Sequence, residues 1–142
     1  MKKLKIDDIK SIIKPRLTDT HKGDFGHAIL ISGSKGMMGA CVLSAKSILR
    51  SGVGLLTVYI PKTAELIMQT SVPEAMVLID SSDNCISECP DLDKYSVVGV
   101  GPGIGTSSET KKAISDLIKQ VKVPTVFDAD ALNIISENKK LL

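Results

Sequence analysis

The sequence predicts an α/β domain built on a mostly parallel, doubly wound sheet with flanking helices. Three observations point to this class. Short runs rich in Ile, Val and Leu alternate with segments of helical spacing along the chain. Aromatic residues are only 3% with no Trp, so the core must be built from Ile, Val, Leu, Ala and Met, as in buried parallel strands. Glycine clusters fall where strands give way to helices.

Leu4, Ile6, Ile9, Ile12 and Ile13 have a mostly helical spacing, and Pro15 ends that run because it disfavours the α conformation just before it. Residues 18–26 form a polar loop. Residues 28–31 are a short apolar run bounded by Gly33, the pattern of a buried strand. A flexible turn over 33–39 leads into a helix over 40–50, stopped by Gly52 and Gly54. Residues 55–60 are a second strand ended by Pro61, and 63–69 a short helix. Residues 75–79 read as a third strand and 80–93, rich in Ser, Asn and Asp, as an irregular connection. The fourth strand, 96–100, runs into Gly101-Pro102-Gly103-Ile104-Gly105 and a helix of about 107–120, where Thr106 and Glu109 have the spacing of a capping box. Residues 124–127 are the fifth strand, followed by Asp128-Ala129-Asp130 and a last helix from about Ala131.

At 142 residues without repeats or linkers, the chain fits one domain with a real core. Its 43% hydrophobic and 24% charged residues are those of a globular protein, neither disordered nor membrane-spanning. The net charge of +2 is interspersed, with no basic block to track a nucleic-acid backbone. Asp7, Asp8 and Lys10 follow the basic start Met1-Lys2-Lys3 where a signal peptide needs an apolar stretch. Three cysteines, Cys41, Cys85 and Cys89, are an odd number, and both His residues lie far from the Cys85/Cys89 pair. Reduced thiols and a cytoplasmic location are the expectation.

In an open α/β sheet, loops at the carboxyl ends of the strands line the ligand crevice, and three such loops have unusual chemistry here. The 33–39 loop matches neither the G-x-G-x-x-G fingerprint nor the phosphate loop. It is a side-chain-poor junction whose free amides and helix N-terminus can hold a phosphate, or whose small residues serve a tight turn; both readings stand. The 99–105 segment packs four glycines into seven residues, a density that favours close ligand approach over simple turn geometry. Asp128 and Asp130 share a side if the strand end stays extended, and so suit a sugar hydroxyl, a water or a Mg²⁺ shell; equally, one of them caps the next helix. His21, Lys22 and Asp24 form a polar cluster before the first strand and assemble no triad. Lys35 is a lone basic side chain beside the first loop, within reach of a phosphate or simply solubilising.

Five blocks in order resemble one family. These are His21-Lys22-Gly23-Asp24-Phe25-Gly26-His27, then 31–40 (Ile-Ser-Gly-Ser-Lys-Gly-Met-Met-Gly-Ala) and 49–58 (Leu-Arg-Ser-Gly-Val-Gly-Leu-Leu-Thr-Val), then Gly99 to Gly105 and Asp128-Ala129-Asp130-Ala131-Leu132-Asn133. Together they resemble the ADP- or ATP-dependent NAD(P)H-hydrate dehydratases, the YjeF C-terminal or carbohydrate-kinase-like proteins. The resemblance runs from about Thr18 to Asn133. It implies a ribokinase-like fold and a repair reaction in which hydrated NADH or NADPH is dehydrated while ADP or ATP is consumed, with Mg²⁺ as the accompanying ion. It also implies that Ala40 and Gly103 contact the hydrated nucleotide, with Gly36, Gly39, Gly101 and Gly105 around them and Asp130 and Asn133 at the rim.

The resemblance further implies a functional partnership with an NAD(P)H-hydrate epimerase. Members of the family continue for about as many residues again, through a His-Pro-Gly-Glu block, the adenine-nucleotide site and a Gly-x-Gly-Asp segment, none of which occurs in this sequence. The expectation is therefore that residues 1–142 are the N-terminal half of such a domain, apparently truncated, with the catalytic Asp beyond Leu142 and no turnover by the chain alone. Uncovered apolar faces, and hence self-association or pairing with the missing half, are expected too. Two alternatives share the fold: a hydroxyethylthiazole-kinase-like phosphotransferase, and a non-catalytic nucleotide-binding fragment.

Overall fold

The computed structural model describes residues 3–13 and 16–141. Pro15, Met1 and Lys2 lie outside the described residues. Five strands, β1 (His27–Ile31), β2 (Leu55–Ile60), β3 (Met76–Ile79), β4 (Val97–Val100) and β5 (Thr125–Phe127), form one sheet in the order β3-β2-β1-β4-β5. Every pairing is parallel. Each strand lies where an apolar run stands between turn residues, and each pair is joined by a crossover long enough to return the chain to the same edge.

Helices α2 (Met38–Arg50) and α3 (Glu65–Ser71) cover one face, over Leu30, Leu56, Val58 and Ile60. Helices α4 (Ser108–Gln120) and α5 (Ala129–Glu137) cover the other, over Ile29, Ile31, Val98 and Val100. Successive residues of β1 thus point into different cores, as the period of two requires. From β1 the chain winds outward through β2 and β3. It then returns to the other side of β1, and winds outward again through β4 and β5. Neighbouring strands β1 and β4 therefore send their following helices to opposite faces, which opens a crevice between their carboxyl ends.

Helix starts differ from expectation by one or two residues: α2 begins at Met38 rather than Ala40 and α3 at Glu65 rather than Thr63, after a 3₁₀ turn over Lys62–Ala64. Ser107, not Thr106, caps α4: its Oγ accepts the Thr110 amide at 3.2 Å. The Thr106/Glu109 pairing is displaced by one residue because the backbone turns helical only at Ser108, leaving Thr106 exposed. Helix α5 begins at Ala129 rather than Ala131, with Ala129 at φ +45°.

Among the described residues, apolar surface stays uncovered on α1 (Ile6–Ile12), beside α2 and along the edge strand β3. Helix α1 buries none of its residues, and Ile6 is 71% exposed. Beside α2, over β4 and β5, a trough of about 440 Å³ is lined by Leu30, Ser44, Ile48, Val97, Gly99 and Val126. Among the described residues no helix is long and apolar enough to cross a membrane.

Candidate functional site

The two glycine loops lie side by side because β1 and β4 are neighbours. The 33–39 loop leaves β1 and the 101–105 loop leaves β4, and the two are stitched together. The Gly33 amide donates to the Pro102 carbonyl at 2.9 Å, the Ser32 hydroxyl to the same oxygen at 2.6 Å, and the Ser34 hydroxyl to the Gly103 carbonyl at 2.8 Å. Ser32 and Ser34 are buried, so these hydroxyls serve the loops and not solvent.

Gly103 is at φ +69°, and a Cβ there would lie 2.8 Å from the Met37 carbonyl oxygen and 3.1 Å from the Ala40 Cβ. The close approach of the two loops thus demands glycine at this point. Gly36 and Gly39 differ: a Cβ at either would meet no atom within 4 Å. Among the described residues the amides of Gly36, Gly39 and Gly103 have no hydrogen-bond partner. They surround the N-terminus of the 13-residue helix α2, where unpaired donors and the helix dipole both favour an anion.

The third loop joins the same edge by a route the sequence did not show. Because the chain turns helical at Ala129, Asp128 and Asp130 do not share one side of an extended end, and that expectation is corrected. Asp130 Oδ2 instead accepts the Gly105 amide at 2.9 Å, while its Oδ1 accepts from Asn133 Nδ2 at 3.3 Å. Asp128 stands at the N-cap of α5 without a side-chain cap bond. Its own amide extends the sheet ladder to the Val100 carbonyl at 3.0 Å. A Cβ at Gly101 would overlap the Asp128 carbonyl oxygen, so the second and third loops are in direct backbone contact.

A fourth loop was missed. After β3, Asp80 is 2% exposed and gathers residues 81–88 around its carboxylate. The carbonyl of Asn84 in that loop accepts the Lys35 amide at 2.8 Å, placing the segment against the first glycine loop. The available signal was Asp80's place immediately after a strand, at the edge that carries the other loops.

The remaining motif residues lie elsewhere. The 21–27 and 49–58 blocks meet at the amino ends of β1 and β2, opposite the glycine loops. Gly54 donates to the Phe25 carbonyl at 3.2 Å, and a Cβ on Gly54 would overlap the Lys22 carbonyl oxygen. His21 and Asp24 close their own turn: Asp24 Oδ2 accepts the His21 amide at 2.9 Å and His21 Nδ1 accepts the Gly23 amide at 3.1 Å. These blocks pack the fold. The Lys35 side chain is exposed beside Gly36. Cys41 is buried against β1, and burial pushes its thiol up to about 11, out of reactive range, despite a hydrogen bond with Ser32. Among the described residues no three His, Cys, Asp or Glu side chains converge as a metal site.

Comparison with known proteins bears on this geometry. A model of the NAD(P)H-hydrate dehydratase family matches residues 28–142. A bifunctional NAD(P)H-hydrate repair enzyme of Moorella thermoacetica is 33% identical over 94% of this chain and 27% of its own length. The ADP-dependent (S)-NAD(P)H-hydrate dehydratase of Staphylococcus aureus is 32% identical over 92% of this chain and 47% of its own. Among solved structures, a Bacillus subtilis ADP/ATP-dependent NAD(P)H-hydrate dehydratase co-crystallised with ATP/Mg²⁺ superposes with a TM-score of 0.72 at 25% identity, covering 89% of this chain and 45% of that one. A ribokinase-like superfamily protein of Enterococcus faecalis superposes with a TM-score of 0.81 at 24% identity, covering 96% and 48%. The fold is ribokinase-like. The chain spans about a quarter of the bifunctional relative and under half of the single-function ones.

Proposed function

The chain belongs to the NAD(P)H-hydrate dehydratase family, and from that premise we propose that it contributes the dinucleotide-binding half of an enzyme that dehydrates hydrated NADH or NADPH. The observation that carries this is the pair of interlocked glycine loops at the β1/β4 switch point, with the Gly36, Gly39 and Gly103 amides left open. In this reading those amides and the α2 N-terminus hold the substrate's phosphates. Ala40 and Gly103 bound its nicotinamide end, Gly101 and Gly105 keep the second loop close, and Asp130 and Asn133 brace the rim.

ADP or ATP is the proposed co-substrate. The added hydroxyl of the hydrate attacks the terminal phosphorus, the bond to the nucleotide's leaving phosphate breaks, and the phosphorylated oxygen then departs with its carbon–oxygen electron pair. Loss of a ring proton restores the reduced nicotinamide. Among the described residues the only buried carboxylate, Asp80, is fully engaged by the chain's own donors, and no residue is assigned to activating the hydroxyl. The chain alone is therefore proposed to bind without turnover. The name of the Bacillus subtilis relative's structure supports ATP with Mg²⁺. Among the described residues no three His, Cys, Asp or Glu side chains converge to hold the ion, so no step is routed through it.

A hydrate epimerase is the proposed functional partner; the relatives' names support a second repair function beside the dehydratase without specifying it. The open trough over β4 and β5 supports pairing with a complementary half or self-association. The proposed location is cytoplasmic. Calorimetry with NADPH, the reaction product, tests the cradle. Recovery of reduced-nicotinamide absorbance from hydrated NADH and ADP, with this chain alone and with a complementing second half, tests turnover. Phosphorylated product from a thiazole or sugar alcohol with ATP would instead favour the kinase reading.

A further inference from the structure

The connection from β3 to β4 has no regular element, yet Asp80 gathers the residues up to Glu88 by hydrogen bonds to its carboxylate. Asp80 Oδ2 accepts from the Tyr59 hydroxyl at 2.7 Å, the Ser87 amide at 2.9 Å and the Glu88 amide at 3.2 Å. Its Oδ1 accepts the Ser82 amide at 2.8 Å and the Ser87 hydroxyl. Backbone donors in an irregular segment have no ladder partners, and the buried Asp80 carboxylate accepts from three of them here. Ile86, beneath the loop, is fully buried with Ile31, Tyr59 and Ile104.

What this loop touches gives it a purpose. The Ser82 carbonyl accepts the Lys62 amide at 3.0 Å, which ties it to the end of β2. Cys85 Sγ lies 3.5 Å from Glu109 Oε2 in the first turn of α4. Between these contacts, the Asn84 carbonyl accepts the Lys35 amide at 2.8 Å. Lys35 and Gly36 are the central residues of a turn closed by the Met37 amide on the Ser34 carbonyl at 2.9 Å, with Gly36 at φ +85° and Lys35 at negative φ. That is a type II turn, and its direction sets where the free Gly36 amide points.

We propose that Asp80 is a positioning residue for the ligand cradle: its carboxylate folds residues 81–88 into a loop whose Asn84 carbonyl fixes the Lys35–Gly36 corner and aims the Gly36 amide at a dinucleotide phosphate. This rests on the binding reading above and adds to it a remote carboxylate, more than forty positions along the chain from the corner it holds.

Two kinds of variant separate positioning from mere stability. Asp80→Asn puts an NH₂ group where the carboxylate accepts. Lys35→Pro deletes only the amide that reaches Asn84, at a turn position that proline suits, and Lys35→Ala serves as its charge-matched reference. NADPH affinity is measured by calorimetry, and amide exchange by NMR on the full chain. Loss of one aimed donor corresponds to about tenfold weaker binding, expected for Asp80→Asn against the parent and for Lys35→Pro against Lys35→Ala. The double variant should be no weaker than either, because both break one linkage. Exchange of the Met37 amide, which closes the turn on the Ser34 carbonyl, should quicken in both, while Ile29 and Val98 in the central strands stay protected. Unchanged NADPH affinity in both variants would overturn the proposal even if Asp80→Asn melts earlier. If the parent chain does not bind NADPH, the binding reading fails; the linkage is then judged by Met37 amide exchange, and equal rates in parent and variants overturn it too.

Discussion

Asp130 Oδ2 and the Gly105 amide meet at 2.9 Å, joining the loop after β5 to the loop after β4. The carboxylate sits in the first turn of α5, where a negative charge is favoured, and uses it to hold a glycine segment that has no side chains of its own to pack. Asn133, one turn later, steadies the other oxygen. Asp130→Ala should cost about 1–2 kcal/mol in urea unfolding and weaken NADPH binding, whereas Asp130→Asn, which keeps an acceptor, should lose less of both. Equal losses in the two variants would show that the Gly105 bond contributes nothing.

Glycine is required to different degrees around the cradle. At Gly101 a Cβ overlaps the Asp128 carbonyl oxygen, whereas at Gly36 it meets open space and only the positive φ opposes it. Gly101→Ala should therefore destabilise by more than about 3 kcal/mol or prevent folding, and Gly36→Ala by about 1 kcal/mol. Comparable unfolding midpoints for the two would contradict the observed loop contact.

Asp80 makes stability depend on acidity. Burial alone would raise its carboxyl, but hydrogen bonds from Ser87, Ser82 and Tyr59 outweigh burial and hold it below the ordinary 3.8. A carboxyl depressed by folding contributes fully above its unfolded value and loses that contribution as pH falls through the folded one. The parent should lose this increment of stability below about pH 4. Asp80→Asn should be less stable than the parent at pH 7, with the gap narrowing in acid. A gap constant from pH 7 to pH 2.5 would count against this account.

The trough over β4 and β5 exposes Val126 by 63%. Apolar surface of this kind binds hydrophobic dyes and promotes association. Val126→Lys should lower dye fluorescence and reduce light scattering at high concentration without shifting the melting temperature by more than about 2 °C. Unaltered dye binding would place the sticky surface elsewhere, with exposed α1 next in line.

The strands were legible because each is a short apolar run between turn residues, and a run of that kind needs only its neighbours in sequence to declare itself. So was the glycine density at the strand ends, where no side chain competes with a ligand for space. A motif's order in the sequence does not give its place on the sheet. The 21–27 and 49–58 blocks stand in the sequence beside the glycine loops, yet they close the opposite end of the sheet, because Gly54 lets the Lys22 backbone cross over it. Asp128 and Asp130 read as a pair on one edge until the early start of α5 turned them apart.

By itself, then, the sequence determined an alternating α/β chain with two small-residue junctions and a family likeness, since these depend on local periodicity and residue type. Only the tertiary structure decided that β1 lies beside β4, that Asp130 holds Gly105, and that Asp80, inside a stretch resembling any solvated loop, is buried under Tyr59. Those partners lie some twenty to seventy residues apart along the chain, and no local pattern encodes them. They form when each face of a parallel sheet buries its apolar side and leaves the polar groups at its carboxyl edge to satisfy one another.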